Sequence, residues 1–163
     1  MGWGPLTHSP ANICLQALID AGLVLDPSAQ GDWPGFVDAE PFSPDEAVTL
    51  YDQTGRAESR DGVTGAYARH FGVQVRVRSR RANIGAQKAH AIRFAMENVD
   101  PTQGVVLYGA AVTVAADSGA GVPAASYVLH AFTNIGDVLG IGQEPQTTRE
   151  LHTLNAMAVI RQT

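Results

Sequence analysis

Residues Phe71 to Arg81 read FGVQVRVRSRR, and the alternation within them leaves little choice of local structure. Val73, Val75 and Val77 recur at every second position with Gln74, Arg76 and Arg78 between them, the period of a pleated strand and not of a helix. Such a strand buries one face, and branched side chains fit its pleated surface. The valines are therefore expected to face a core. The arginines, continued by Arg80 and Arg81, are expected on the other face.

Something must pack on those valines, and two segments read as helices. Ser9-Pro10 followed by Ala11 to Ala21 and Gly22 has a helix's punctuation: a side-chain cap, a proline in the first turn, a glycine just past the end. Ile13, Leu15, Ala17 and Leu18 form its apolar side, with Cys14 beside them as a small core residue. Asn83 can cap a second helix to about Asn98, with Ile84, Ala91, Ile92, Ala95, Met96 and Val99 on one side at helical spacing.

The remaining segments read as strands and loops. Pro27 to Pro44 is rich in turn residues, with a short strand or two at most, and Trp33, Phe36 and Phe42 are expected to anchor it to the core. Ala47 to Tyr51 is a short strand, and Asp52 to Gly65, with Thr54-Gly55 and Asp61-Gly62, is a polar, turn-prone loop. Val105 to Ala115 and Ala124 to Thr133 flank Asp117-Ser-Gly-Ala-Gly121 as a long β-hairpin arm. Val138 to Ile141 and Leu151 to Ile160 are further strands. The order predicts an α+β fold, a mixed, mostly antiparallel β-sheet flanked by two helices, in a single domain over residues 1–163.

Composition narrows the function classes. At 163 residues, 45% hydrophobic and 17% charged, the chain has enough apolar material for a core, and no apolar run approaches the roughly 20 residues of a spanning helix. No membrane partner is expected. The first ten residues lack a basic stretch followed by an apolar one, so action inside a cell, or in a particle assembled there, is the expectation. The net charge of −5 conceals segregation: residues 1 to 61 hold ten acidic and two basic side chains, residues 69 to 93 seven basic and none acidic, and residues 94 to 163 six acidic and two basic. Opposed patches of this kind suit the packing of one copy against another.

Catalytic chemistry finds little support. The histidines, His8, His70, His90, His130 and His152, make no paired metal-ligand motif, although His130 and His152 fall in strands that could be neighbours. Cys14 is the only cysteine, which excludes an internal disulfide and a cysteine-built zinc cluster. Gly140-Ile-Gly142 lacks the lysine and helix of a phosphate loop and reads as a turn, and Asp45-Glu46 lies in a loop context. No catalytic residue, cofactor or metal is expected, and the chain is not expected to be an enzyme.

The arginine stripe permits a solvated sheet face, a phosphate grip or a protein interface. Aromatic residues do not interleave with it, and Lys88 is the only lysine, which disfavours nucleic acid. An interface is the preferred reading, with Gln74, Arg76, Arg78, Arg80, Arg81 and Arg149 meeting carboxylates of a neighbouring copy or partner.

LIDAGLV near the N-terminus, WPGFVDAEPFSPDEAVTLYDQTG from Trp33 to Gly55, FGVQVRVRSR from Phe71, the helix after it, and RELHTLNAMAVIR from Arg149 resemble, in the same order, the minor capsid and tail terminator proteins of long-tailed bacteriophages. The Pro-Asp-Glu-Ala strand followed by Val-Gln-Val-Arg-Val-Arg is the most telling part. The resemblance implies a virion protein of the tail and neck, assembled in the host bacterial cytoplasm. It implies a homo-oligomer, a hexameric ring at the head-proximal end of the tail tube. Such a ring stops tube polymerisation, contacts the tail tube protein and presents a surface to the head-completion or stopper protein of the connector. Genomic DNA passes its lumen without specific binding. The family pattern places the Gln74, Arg76, Arg78 strand and Arg149 to Asn155 among its recurring features. The hairpin Ala115 to Pro123 and the segment Asp52 to Gly65 depart from it. A head-completion or adaptor protein of the neck, and a nucleic-acid-binding module, are the alternatives.

Overall fold

The computed structural model describes the backbone of residues 4–60 and 67–163, and the side chains of these except 57–60, 67 and 68. Helix α1 spans Pro10–Asp20 and helix α2 Ala82–Glu97; the strands are β1 Gly35–Val37, β2 Ala47–Arg60, β3 Tyr67–Ser79, β4 Ala110–Val114, β5 Ala125–Asn134, β6 Leu139–Gln143 and β7 Glu150–Gln162. Together these strands make one sheet in the order β1-β2-β3-β7-β5-β4, with β6 also paired to β7. Among the described strands only β1 and β2 run parallel and the other pairs are antiparallel, so the fold is α+β with a mixed, mostly antiparallel sheet and two helices.

Both helices cover the same face of the sheet. Val73, Val75 and Val77 are fully buried there with Ile13, Cys14 and Leu18 of α1 and Ala89, Ile92 and Met96 of α2, as the alternation requires. Helix α1 starts where its punctuation indicates: Ser9 Oγ accepts from the Asn12 N–H at 3.3 Å, and Gly22 takes the positive φ of 73° that ends it. Its first N–H, that of Ala11, since Pro10 has none, donates to Asp52 Oδ1 at 2.8 Å, which pins the helix to β2.

Helix α2 departs from the expectation in two ways. Asn83 lies inside its first turn and Arg81 takes the cap position without a side-chain bond. The buried stripe is Gly85, Ala89, Ile92, Ala95 and Met96, whereas Ile84 and Ala91 are exposed and Val99, beyond the helix, is 76% exposed. The cause is close approach. A Cβ on Gly85 would sit 3.0 Å from His152 Nδ1 and 3.2 Å from Ser79 Cβ, so the helix lies on the sheet through its smallest residues.

The strands correct the expected bounds. Strand β2 does not stop at Tyr51. It continues to Arg60 through the segment expected to be a loop, paired with β3 and bulged between Gln53 and Arg56 and between Ala57 and Ser59. The expected Asp61-Gly62 turn lies outside the described residues. The longest hairpin is therefore β2–β3 and not the segment around Asp117, where β4 is only five residues long, Val105 to Gly109 is not strand, and one bridge joins Asp117 to Val122. Alternation of apolar residues identifies strands that lie on a core, and β2 beyond Tyr51 does not. Phe42, expected to anchor its loop in the core, is 80% exposed, while Trp33 packs partly buried against it.

Strand β7 holds the sheet together. One flank pairs with β3 over Glu150 to Ala158, while the other takes β6 over Glu150 to Thr153 and β5 over Ala156 to Gln162. Gly140-Ile-Gly142 is accordingly a bulged strand and not the turn that was expected. No helix among the described residues is long and apolar enough to cross a membrane.

Candidate functional site

The face of the sheet away from the helices carries Gln74, Arg76 and Arg78. The pairing registers put Tyr51, Thr49 and Ala47 of β2 and Asn155, Thr153 and Leu151 of β7 on either side of them. Gln74 Nε2 donates to Asn155 Oδ1 at 3.2 Å. Arg76 Nη1 lies 3.5 Å from Glu40 Oε2, and its guanidinium carbon sits 5.1 Å from the centre of the Tyr51 ring. Burial, and then the charge of Glu40, push the Tyr51 hydroxyl up, with Arg76 and Arg78 opposing the rise.

Arg78 is the deepest of the set, 2% exposed in a sheet face where a guanidinium needs every donor met. Its Nη2 donates to the Pro44 carbonyl at 2.5 Å and its Nε to the Asp45 carbonyl at 3.3 Å, while Nη1 lies 3.9 Å from Glu144 Oε1. Arg149, 6% exposed, donates from Nε to Asp45 Oδ1 at 2.8 Å and places Nη1 3.7 Å from Glu144 Oε2. The other oxygen of Asp45 takes Arg80 Nε at 2.5 Å. Phe42 stacks on the guanidinium of Arg149, 5.0 Å from ring centre to carbon. Arg81 is exposed, and its backbone N–H donates to Ser79 Oγ at 3.1 Å.

Asp45 and Glu144 are the centres of this network, and the chain places them there for local reasons. Ala47 stands directly opposite Arg78, so Asp45, two residues earlier, emerges on the same side within reach of it. Glu144 follows β6 in a tight turn: its N–H donates to the Arg149 carbonyl at 2.8 Å, and its carboxylate accepts from Thr147 Oγ1. The loop before β2 and the loop between β6 and β7 are thereby fastened to the sheet. Between them lies a groove of about 490 Å³ lined by Glu40, Phe42, Arg78, Glu144 and Arg149 among others.

Of the six residues singled out in the sequence, the structure draws Arg78, Arg80 and Arg149 into one cluster around Asp45 and Glu144, with Arg76 paired separately to Glu40, Gln74 bonded to Asn155, and Arg81 outside it. Of their carboxylate partners within the chain, Glu40 and Glu144 were not singled out, and Asp45 was named only as a loop carboxylate. One signal was available: a strand face carrying several arginines needs acidic residues at the ends of the adjacent strands, and Asp45 precedes β2 by two positions.

The other titratable groups do not assemble. Among the described residues no group of three or more histidine, cysteine, aspartate or glutamate side chains is placed to hold a metal ion. His130 lies between Leu129 and Ala131, which pair with Ile160 and Val159, so it is far along β7 from His152. His8 Nδ1 lies 2.7 Å from the Tyr127 hydroxyl in a buried contact. Cys14 is fully buried, and burial, with the charge of Asp52 adding to it, pushes its thiol well above the usual range.

Comparison with known protein families and with characterised protein sequences gives no match for this chain.

Proposed function

We propose that this chain is a structural subunit of a phage neck, a tail terminator that forms a ring, in a hexamer, at the head-proximal end of the tail tube and joins the tube to the head connector. The reading rests on the ordered resemblance of its segments to that family. The structural observation that carries it furthest is the β2–β3 ribbon. Beyond Gln53 and Phe71 the two strands pair only with each other, standing out from a sheet whose body is otherwise backed by helices and loops. An isolated two-stranded ribbon is marginal in water. A subunit made to be joined to others gives it something to rest on.

The arginine cluster takes a specific part in this reading. Arg76, Arg78, Arg80 and Arg149 meet carboxylates of their own chain, so Arg81, just past the end of β3, is the residue of the set left to meet tube, connector or neighbour. The cluster faces away from the channel, because a lining rich in arginine would grip passing DNA. Deletion of the gene from the phage that encodes it tests the reading, with tail length read by negative-stain electron microscopy. Full heads beside overlong or unjoined tails are expected. Tails of normal length beside leaking heads would transfer the protein to the head side of the neck, and intact virions would overturn the proposal.

A further inference from the structure

The groove between the two loops has a floor that ion pairing leaves short of acceptors. Arg78 and Arg149, 2% and 6% exposed, carry ten N–H donors between them. Among the described residues three are hydrogen-bonded: Arg78 Nε to the Asp45 carbonyl, Arg78 Nη2 to the Pro44 carbonyl and Arg149 Nε to Asp45 Oδ1. Glu144 balances charge without taking up the others. Its oxygens stand 3.9 Å from Arg78 Nη1 and 3.7 Å from Arg149 Nη1, beyond hydrogen-bond reach. Its own turn keeps it from closing the gap, because its N–H is held by the Arg149 carbonyl and its Oε2 accepts from Thr147 Oγ1. Both arginines line the groove, so an acceptor for their remaining donors has a way in.

The charge balance has the same sense. The ion-paired set on this face of the sheet comprises four guanidiniums, Arg76, Arg78, Arg80 and Arg149, and three carboxylates, Glu40, Asp45 and Glu144, which leaves one positive charge in excess. Glu46 and Glu150 do not offset it. Ser79, which donates to Glu46 and pairs with Glu150, lies on the helix face beside Gly85. Asp38 acts on Tyr51, farther along β2. One carboxylate matches the excess, and a phosphate dianion exceeds it. Around the floor the walls are apolar. Phe42, 80% exposed, stacks on Arg149 and leaves most of its ring open, and Pro41 and Pro145 stand in the two loops. Small-molecule sites bury most of their ligand, whereas this groove of about 490 Å³ is open to solvent and suits a side chain that arrives on a larger body.

We propose that the groove receives an aspartate or glutamate side chain from an exposed segment of a partner protein, its carboxylate accepting from Nη1 of Arg78 and of Arg149 and its aliphatic stem lying on Phe42. This contact differs in kind from that of Arg81. Arg81 offers a charge at the surface, while the groove offers fixed donors in a defined geometry, the arrangement that selects a partner. The inference does not rest on the ring reading and holds for any assembly the chain enters.

The probes are the peptide acetyl-Ala-Ala-Glu-Ala-Ala-amide, its glutamine counterpart and inorganic phosphate. Each is titrated into the unaltered chain and followed by NMR at the Arg78 and Arg149 Nε–H, the Phe42 ring and the amides of residues 144 to 149. Saturable shifts there are expected with the glutamate peptide alone, with a dissociation constant on the order of 1 mM. Glu144→Gln removes a competing charge beside the site and keeps an oxygen for Thr147, and is expected to tighten binding at least about threefold. Arg149→Lys keeps the charge and loses the planar fork, and is expected to weaken binding by about as much. The absence of saturable shifts in the unaltered chain up to about twenty times that concentration overturns the inference. So do equal shifts from the glutamine peptide, tighter binding of phosphate, or a Glu144→Gln protein that is folded by its spectrum and binds no more tightly. If the groove fails these tests while gene deletion gives overlong tails, the inference falls and the ring reading stands; peptide binding in the groove with intact virions on deletion leaves the groove and overturns the ring.

Discussion

Arg78 is a full charge placed where a strand would ordinarily carry something neutral, and it is tolerable because carbonyls and carboxylates surround it. Removing it leaves the Pro44 and Asp45 carbonyls without their donor and Glu144 short of a cation in a partly buried groove. Arg78→Met is expected to lower the unfolding free energy by about 3 kcal/mol. Arg81→Ala, outside the cluster, is expected to change it by less than about 0.5 kcal/mol. Urea denaturation of both variants checks the contrast, and equal midpoints would show that the cluster contributes nothing net. The stripe itself was legible, because alternation puts its residues on one face. Its counterions were not. Asp45 lies 33 positions from Arg78 and 104 from Arg149, and only the strand pairing brings them together. Phe42 misled for a related reason: an aromatic residue in a loop suggests a core anchor, and here the ring lies over a guanidinium at the surface.

Elements were readable where local chemistry decides them and misread where packing does. Helix α1 begins and ends on its own cap residues. Helix α2 was placed correctly but rotated, since Gly85 and Ala89 look too small to mark a buried stripe yet are what permits contact with the sheet. The β2–β3 ribbon was hidden because its pairing owes nothing to a buried face. Its bulge depends on two glycines: a Cβ on Gly72 would meet the Thr54 carbonyl oxygen at 2.5 Å, and one on Gly55 the His70 carbonyl oxygen at 2.2 Å. Gly72→Val is therefore expected to force the strands apart there. Amide exchange in residues 53 to 56 should accelerate by at least about tenfold, the equivalent of ~1.4 kcal/mol, with Val75 and Val77 still protected. Unchanged exchange in that stretch would show that the close approach is not needed.

At the scale of the whole molecule, the charge map of the sequence changes meaning once the chain is folded. The basic segment does not present a bare positive face, because Glu40, Asp45 and Glu144 lie against three of its arginines, Arg76, Arg78 and Arg80. With a net charge of −5, duplex DNA at about 150 mM salt is expected to bind more weakly than about 100 μM. Tighter binding with a steep salt dependence in a mobility-shift titration would favour the nucleic-acid alternative. The fold class was legible from the order of helices and strands, but the strand order was not, since nothing local says that β7 lies between β3 and β5. That position has a consequence for biosynthesis. Strand β7 follows every other described strand in the sequence, and among the described residues no strand pairing except its own links the β1-β2-β3 half of the sheet to the β5-β4 half. A nascent chain emerging from the ribosome can form both hairpins early, yet each must wait with an unmatched flank until β7 arrives between them. The protein is thus most prone to mispairing in the interval before β7 has emerged, and chaperone demand should concentrate there.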